Sequence, residues 1–242
     1  MSLKDRIAFI TGAGGGIGRQ TVVALAKEGV NIVLFGGNNL NKLQESALLA
    51  QKEGVKTWIF EGDLTDDNIL VNLFEKAISV TGGLDILINN AGMAYSAPIE
   101  QTDVEIFDKI MKINARVPFM LIKLALPYLK KSTRASVLNV ASVVAHAGYP
   151  LQSAYTASKH ALLGLTKSLS AEVYKDGIRV HAVSPGGVYT DMVKVSRPDL
   201  TGEGMTKPEE IAEIITFILK HRGNAVVDEI IVHRANKQPF LI

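Results

Sequence analysis

The sequence predicts a single α/β domain, an open and doubly wound parallel sheet with helices on both faces. Three observations carry this expectation. Short runs rich in Val, Ile, Leu and Phe alternate with longer stretches whose apolar residues recur at helical spacing, the pattern of parallel strands joined by crossover helices. The first apolar run ends in a glycine-rich turn that opens directly into the first helical stretch. The chain has 242 residues, 47% of them hydrophobic, which suits one large core better than two small ones. No repeat, linker or low-complexity segment interrupts the pattern.

The first strand reads RIAFIT and ends at Thr11; the first helix begins near Gly16 and runs through GRQTVVALAKEG. Between them, TGAGGGIG spans 11 to 18. Glycines there permit a tight turn and let the backbone approach a pyrophosphate at the helix N-terminus, where unpaired amides and the helix dipole favour negative charge. A glycine-rich turn in this strand–turn–helix setting predicts dinucleotide binding. The second strand, Asn31 to Phe35, is followed by GGNN. An acid for the ribose hydroxyls usually stands about 20 residues after the glycines. Here there is neither acid nor arginine, and Asn38 and Asn39 are left to meet hydroxyls or a phosphate, which leans towards NADP over NAD.

The helix LNKLQESALLAQKEG and the strand VKTWIF lead to GDLTD, where Asp63 can either meet the adenine amino group or serve as a cap. The fourth strand, DILINN, runs into Ala91 and Gly92, so that Asn89 and Asn90 present amides beside a gap between small residues. A long helical run from Asp103 to about Lys130 carries Asn114 with Pro118 four residues on. The proline removes a backbone donor and crowds the carbonyl of residue 114, so the helix should bend or break there, leaving room for a water. The fifth strand, RASVLNVAS, delivers Ser142 to a strand's carboxyl end, the edge where open α/β sheets hold ligands.

Tyr155 and Lys159 follow in YTASKHALLGLTKSLSAEV, four apart and therefore on one helix face. A phenol of ordinary pKa, about 10, is a poor base near neutrality, but a neighbouring ammonium favours the phenolate and should lower that value. A tyrosine tuned in this way exchanges a proton with an alcohol or carbonyl oxygen. Standing alone, a Tyr and a Lys at this spacing are usually an ordinary surface pair, and the cofactor turn is what lifts the catalytic reading. GIRVHAVSPGGVYTDM then reads as a strand entering a proline–glycine turn, with Thr190 placed to bond a nicotinamide carboxamide. Residues 191–206 form a candidate substrate loop, polar from Val193 to Thr206 and including Lys194, Arg197 and Pro198; a plain connection is the competing reading. The helix KPEEIAEIITFILKH and the strand AVVDEIIV complete the sheet. His146, four residues after Ser142, is expected as a solvated loop residue, with pocket lining as its alternative.

Taken together, TGAGGGIG at 11–18, NNAG at 89–92, Asn114, Ser142, YTASK at 155–159 and PGGVYT at 185–190 strongly resemble the short-chain dehydrogenase/reductase family over nearly the whole chain. The resemblance implies a Rossmann-type fold and a hydride-transferring oxidoreductase that interconverts a ketone and a secondary alcohol with NADP or NAD. It implies that Gly12, Gly16, Ile17 and Gly18 cradle the pyrophosphate, that Asn38 meets the adenosine ribose, and that Asp63 contacts adenine. Asn89 and Gly92 would line the cofactor cleft, and Pro185, Gly186, Val188 and Thr190 would meet the nicotinamide end. Ser142 would hold the substrate oxygen and Tyr155 would be the acid or base. Lys159 would lower the tyrosine's pKa and bond the nicotinamide ribose, and Asn114 would complete a water-linked proton relay through Lys159. Two departures stand out: the missing acid or arginine after the second strand, and a carboxyl end, VVDEIIVHRANKQPFLI, without the family's usual glycine-rich finish. That end resembles those of 3-oxoacyl reductases or sepiapterin-reductase-like members. In the family that region often packs between subunits, so the resemblance implies a homotetramer or, with this altered end, a dimer.

Composition narrows the alternatives. The 26 basic and 24 acidic residues are spread along the chain, giving a net +2 and no footprint for nucleic acid. With no cysteine there is no disulfide or thiolate metal site, and the five histidines form no helical metal pair. The polar start MSLKDR and the short IAFI suit neither a secretory core nor a membrane span, so a cytoplasmic protein is expected, with a small carbonyl or alcohol as its substrate. Apolar faces at 103–130 and 152–175 favour a homo-oligomer. Against the 3-oxoacyl reading stand a sugar, polyol or diketone dehydrogenase, a non-catalytic NAD(P)-binding member, and a sugar-nucleotide epimerase. Only 57 residues follow Pro185, little room for the larger substrate lobe of such an epimerase.

Overall fold

The computed structural model describes residues 2–37, 39–197, 199 and 201–238. Seven strands form one sheet: β1 (Ile7–Thr11), β2 (Asn31–Gly36), β3 (Thr57–Glu61), β4 (Ile86–Asn89), β5 (Ser136–Val140), β6 (Arg179–Pro185) and β7 (Glu229–Val232). Their order is β3-β2-β1-β4-β5-β6-β7 and every pairing is parallel. The order reverses between β1 and β4, the switch point at which ligands bind in sheets of this kind. The doubly wound α/β expectation is met.

Among the described residues, eight α-helices accompany the sheet: α1 (Gly16–Lys27), α2 (Leu40–Gln51), α3 (Asp67–Thr81), α4 (Val104–Met111), α5 (Val117–Leu129), α6 (Ser153–Val173), α7 (Asp191–Ser196) and α8 (Pro208–Lys220). Because successive strand residues point to opposite faces, β1 feeds two cores. Ala8 and Ile10 pack with Val22 and Leu25 of α1 and Ile215 of α8; Phe9 packs with Phe35, Leu87, Phe74 of α3 and Leu121 of α5. Rings of Phe9 and Phe35 lie 5.5 Å apart and those of Phe9 and Phe74 5.7 Å, the second pair edge-on. Burial on both sides explains why β1 and β2 read as continuous apolar runs, and each such side chain contributes about 1.5–3 kcal/mol.

Local chemistry sets the element ends. Asn39 caps α2 by accepting from Lys42 N, and Asp66 caps α3 by accepting from Asn68 N and Ile69 N. The expected run 103–130 stays helical but is interrupted by a π-helical turn, Lys112–Arg116, between α4 and α5. With no N–H on Pro118, the chain widens by one residue, and Val117 N donates to Lys112 O. The polar connection expected from Val193 begins instead as helix, since α7 reaches Ser196; Pro198 and Leu200 lie outside the described residues. The last strand is shorter than AVVDEIIV, with only Glu229–Val232 paired to β6. No helix among the described residues is long and apolar enough to cross a membrane.

Candidate active site

A cleft of about 730 Å³ opens along the carboxyl ends of β1, β2, β4, β5 and β6. Its floor is the turn after β1. Gly12 has φ +64°, and a Cβ there would lie 2.8 Å from Asn90 Nδ2; a Cβ on Gly18 would lie 2.1 Å from Gly12 O. Neither position has room for a side chain. Gly15, the N-cap of α1, offers no side-chain bond, so the first amides of α1 remain available where α2 and α3 have theirs taken by Asn39 and Asp66. A backbone bare of side chains, at a helix N-terminus, over an open cleft, fits the pyrophosphate of a dinucleotide.

The end of β4 is stapled to this floor. Thr11 Oγ1 accepts from Asn90 N (3.0 Å) and Ala91 N (2.9 Å), while Asn90 Nδ2 donates to Thr11 O (2.9 Å) and Gly12 O (3.3 Å). Asn90 is therefore the residue that shapes the cleft here, in place of the expected Asn89. Asn89 is buried one layer down, donating from Nδ2 to Asn139 Oδ1 (2.8 Å); Asn139 in turn donates to Thr166 Oγ1 of α6. The alternation of β4 decides this: one residue faces the core and its neighbour faces the ligand.

Ser142 follows β5 and caps a short 3₁₀ turn, Val143–Ala145. Its hydroxyl donates to Pro185 O (3.2 Å), tying the ends of β5 and β6 together. Tyr155 and Lys159 enter the same cleft from α6, which begins two residues before Tyr155. Lys159 is 4% exposed, and its ammonium donates to Val140 O at 2.7 Å, 5.8 Å from the centre of the Tyr155 ring. Burial pushes the lysine down to about 8. Burial also pushes the Tyr155 phenol up, with the Ser142 hydroxyl pulling the other way. The expected lowering of the phenol by the ammonium is thus reversed: Lys159 is spent on a carbonyl, and desolvation of the phenolate outweighs everything else.

Asn114 is fully buried in the π turn. Its Oδ1 accepts from Met93 N (2.8 Å), and its Nδ2 donates to Met93 O and to Ser158 Oγ, both 2.9 Å. The carboxamide clamps the segment after Gly92, with its oxygen engaged by Met93 N and both amide hydrogens donated to Met93 O and Ser158 Oγ. The two side chains nevertheless flank Gly92, where a Cβ would lie 3.1 Å from Asn114 Oδ1 and 3.8 Å from Lys159 Nζ.

The other predicted residues divide in two. Gly12, Gly16, Ile17, Gly92, Pro185, Gly186, Val188 and Thr190 all line the cleft, Thr190 close against Gly16. Gly18 lies beneath it as a packing contact, and Asp63 is outside it. The Asp63 carboxylate is exposed and accepts from Thr65 N (2.9 Å) and Thr65 Oγ1 (2.7 Å), bonds that hold it below its ordinary pKa. Both bonds fall on Oδ1, so the turn orients the carboxylate through one of its two oxygens. Asn38 lies outside the described residues. His146 neither floats in solvent nor lines the cleft: its Nε2 pairs with Glu229 Oε1 (2.7 Å), which also accepts from Ser184 Oγ.

Sequence reasoning missed Lys42, whose ammonium reaches from α2 to Asp191 of α7 (2.8 Å), and the tail residues His233, Arg234, Lys237 and Gln238 on the rim. Six residues off the end of β2, Lys42 carries no motif signal, whereas the cations of the tail stand out as a departure from pattern without a place in the fold.

The family model for short chain dehydrogenases matches residues 6–201. The chain is 31% identical over 243 aligned positions to a 3-oxoacyl-[acyl-carrier-protein] reductase of Thermotoga maritima, covering 96% of this chain and 97% of the relative. Among solved structures it resembles an alcohol dehydrogenase of the archaeon Thermococcus sibiricus complexed with 5-hydroxy-NADP, with a TM-score of 0.88 and 27% identity over 98% of this chain and 99% of the other. A levodione reductase superposes with a TM-score of 0.87 at 28% identity, over 95% and 96% of the two chains. With its cleft, its glycine floor and its Ser–Tyr–Lys cluster in place, the chain belongs to the short-chain dehydrogenase family and is an NAD(P)-dependent oxidoreductase.

Proposed function

We propose that this protein reduces a ketone to a secondary alcohol, with a 3-oxoacyl compound as the substrate type and Tyr155 as the proton donor. The observation that carries the reading is geometric: Ser142, Tyr155 and Lys159 meet in the cleft above the glycine floor, with the Lys159 ammonium 5.8 Å from the centre of the Tyr155 ring, so a protonated phenol stands where a carbonyl oxygen would need its proton. The nicotinamide, when bound, supplies the hydride. Ser142 stands at the same point, and its hydroxyl, which donates to Pro185 O at 3.2 Å, would hold a substrate oxygen in register by turning that hydrogen from the carbonyl to the substrate. Lys159 anchors α6 to the end of β5 through Val140 O and so fixes the position of Tyr155. Any relay through Asn114 runs through its backbone carbonyl, whose ordinary helical donor is replaced by Pro118.

The likeness to the Thermotoga 3-oxoacyl reductase supports the substrate type. The likeness to levodione reductase supports a second reading, a small diketone. NADP is the proposed cofactor, because Lys42 stands on the cleft beside Gly37 and Asn39, where a ribose phosphate would add a negative charge. Residues 191–206 act as the substrate loop. A homo-oligomer in the cytoplasm completes the reading. It is supported by Phe107 and Phe119, exposed on α4 and α5 beside an apolar groove with Ala161 and Leu165 of α6; light scattering of the purified protein should exceed the mass of one chain.

The test is oxidation of NADPH and, separately, NADH in the presence of acetoacetyl-CoA, a dione and a polyol ketone. Faster turnover of acetoacetyl-CoA with NADPH is expected. Preferential turnover of the dione would move the substrate assignment, and NADH preference would move the cofactor.

A further inference from the structure

The cations on the cleft are not equivalent. Lys42 is paired with Asp191, and Arg197 is held by both carboxylate oxygens of Asp199 at 2.8 and 2.6 Å. Arg234 and Lys237, which line the same cleft, have no carboxylate partner among the described residues. Both come from the segment that follows β7. Lys237 N donates to Arg234 O (3.0 Å), so a single turn presents the two side chains together. Arg234 lies over Gly187, where its Cδ and Nε would stand 3.5 Å from a Cβ, at ordinary van der Waals contact. The turn itself is docked, since Asn236 packs so closely on Gly204 that a Cβ there would meet its amide.

This rim is near the reacting groups. Ser142 donates to Pro185 O, Gly186 N donates to Val232 O (2.8 Å), and Arg234 covers Gly187, two residues beyond Pro185. Two residues of extended chain span about 7 Å at most. A small molecule with its carbonyl at Ser142 and Tyr155 can therefore place a second functional group under Arg234. Two unpaired cations in a concave, partly apolar cleft recognise an anion, and a guanidinium forks onto carboxylate or phosphate oxygens.

We propose that Arg234 and Lys237 form an anion subsite, so that the substrate is a carbonyl compound carrying a carboxylate or phosphate group. The inference rests on the reductase reading above and narrows its substrate class. It also assigns a use to the carboxyl end of the chain, which departs from the family pattern.

The experiment compares wild type with Arg234→Gln and Lys237→Gln on two matched pairs of probes. Acetoacetate against its ethyl ester asks for a carboxylate near the carbonyl; acetoacetyl-CoA against the acetoacetyl thioester of N-acetylcysteamine asks for the phosphates of a carrier. The inference expects at least a tenfold rise in KM for the anionic member of one pair in each variant, with the neutral member and kcat little changed. Calorimetric binding of acetoacetate and of acetoacetyl-CoA to the NADP⁺-saturated protein reads the subsite without turnover, and should weaken by the same factor. Equal affinity of wild type and both variants for both anions overturns the inference, while Tyr155-dependent reduction of the neutral probes leaves the reductase reading standing. Anion binding that depends on Arg234, with no turnover of any probe, does the reverse. Loss of NADPH affinity in the variants, with probe affinity intact, would assign the two cations to the cofactor and also overturn it.

Discussion

At the β1 end of the cleft, shape is made by what is missing: glycines without Cβ atoms and α1 amides without a cap, beside a half-buried amide from Asn90 that binds two strand ends into one piece. At the β6–β7 end, shape is made by what has been added: α7, the loop after it, and a tail that carries Arg234 over Gly187 and Lys237 onto the rim. The first end is rigid and closed to change, and it suits a ligand part common to many reactions. The second is built from exposed side chains on short elements, and it can be altered without disturbing the sheet. Between them, Ser142, Tyr155 and Lys159 stand on the ends of β5 and α6, which belong to neither. Position on the scaffold thus separates holding the cofactor, performing the chemistry and choosing the substrate.

The difference is sharpest where substitution is least tolerable. Gly18→Ala places a methyl group 2.1 Å from Gly12 O, a backbone atom with no room to retreat. A loss of about 3 kcal/mol or more in stability is expected, together with loss of NADPH binding. Denaturant titration and cofactor fluorescence measure the two, and a stable variant with normal affinity would show that the floor yields.

Lys159 comes next. Its folded value is about 8 against an ordinary 10.5, so between those limits the unfolded chain holds a proton that the folded chain has lost. Stability therefore rises with pH across that window, and the burial penalty present below pH 8 is relieved above it, by about 3 kcal/mol in all. Unfolding free energies at pH 7.5 and 10, taken as the difference between wild type and Lys159→Met, isolate this effect. A difference that does not change with pH would mean the ammonium is better solvated than its burial indicates.

The smallest effect belongs to the rim. The Lys42–Asp191 pair joins α2 to α7 across the cleft, but both side chains are about half exposed or more, and such pairs contribute only about 0–1 kcal/mol. Lys42→Ala should leave stability unchanged and weaken NADPH binding by about threefold to tenfold, with NADH binding unaffected. Equal loss for both cofactors would remove Lys42 from the choice between them.

Much of this was legible in the sequence, for identifiable reasons. The glycines of TGAGGGIG announce their role because backbone geometry permits no substitute, and Tyr155 and Lys159 because helical spacing fixes their common face. Pro118 announced a disturbance of the helix, although only the fold shows it as a π turn in which the Asn114 side chain clamps Met93. Asn89 and Asn90 could not be told apart without knowing the phase of β4. Asp63 is held by Thr65 two residues on, the capping alternative, whereas His146 is held by Glu229, 83 residues away, a partner that no spacing rule foresees. The reversed direction of the Tyr155 shift depends on burial and on the Val140 carbonyl that takes up Lys159, both properties of the packed chain.

The account stands or falls on Tyr155 as the proton donor. In Tyr155→Phe, cofactor affinity measured by NADPH fluorescence should stay within about twofold, because the glycine floor is untouched, while kcat/KM for reduction of acetoacetyl-CoA or a dione falls by about 10²–10⁴. Undiminished turnover with intact cofactor binding would contradict the account and move the proton donor to another group in the cleft.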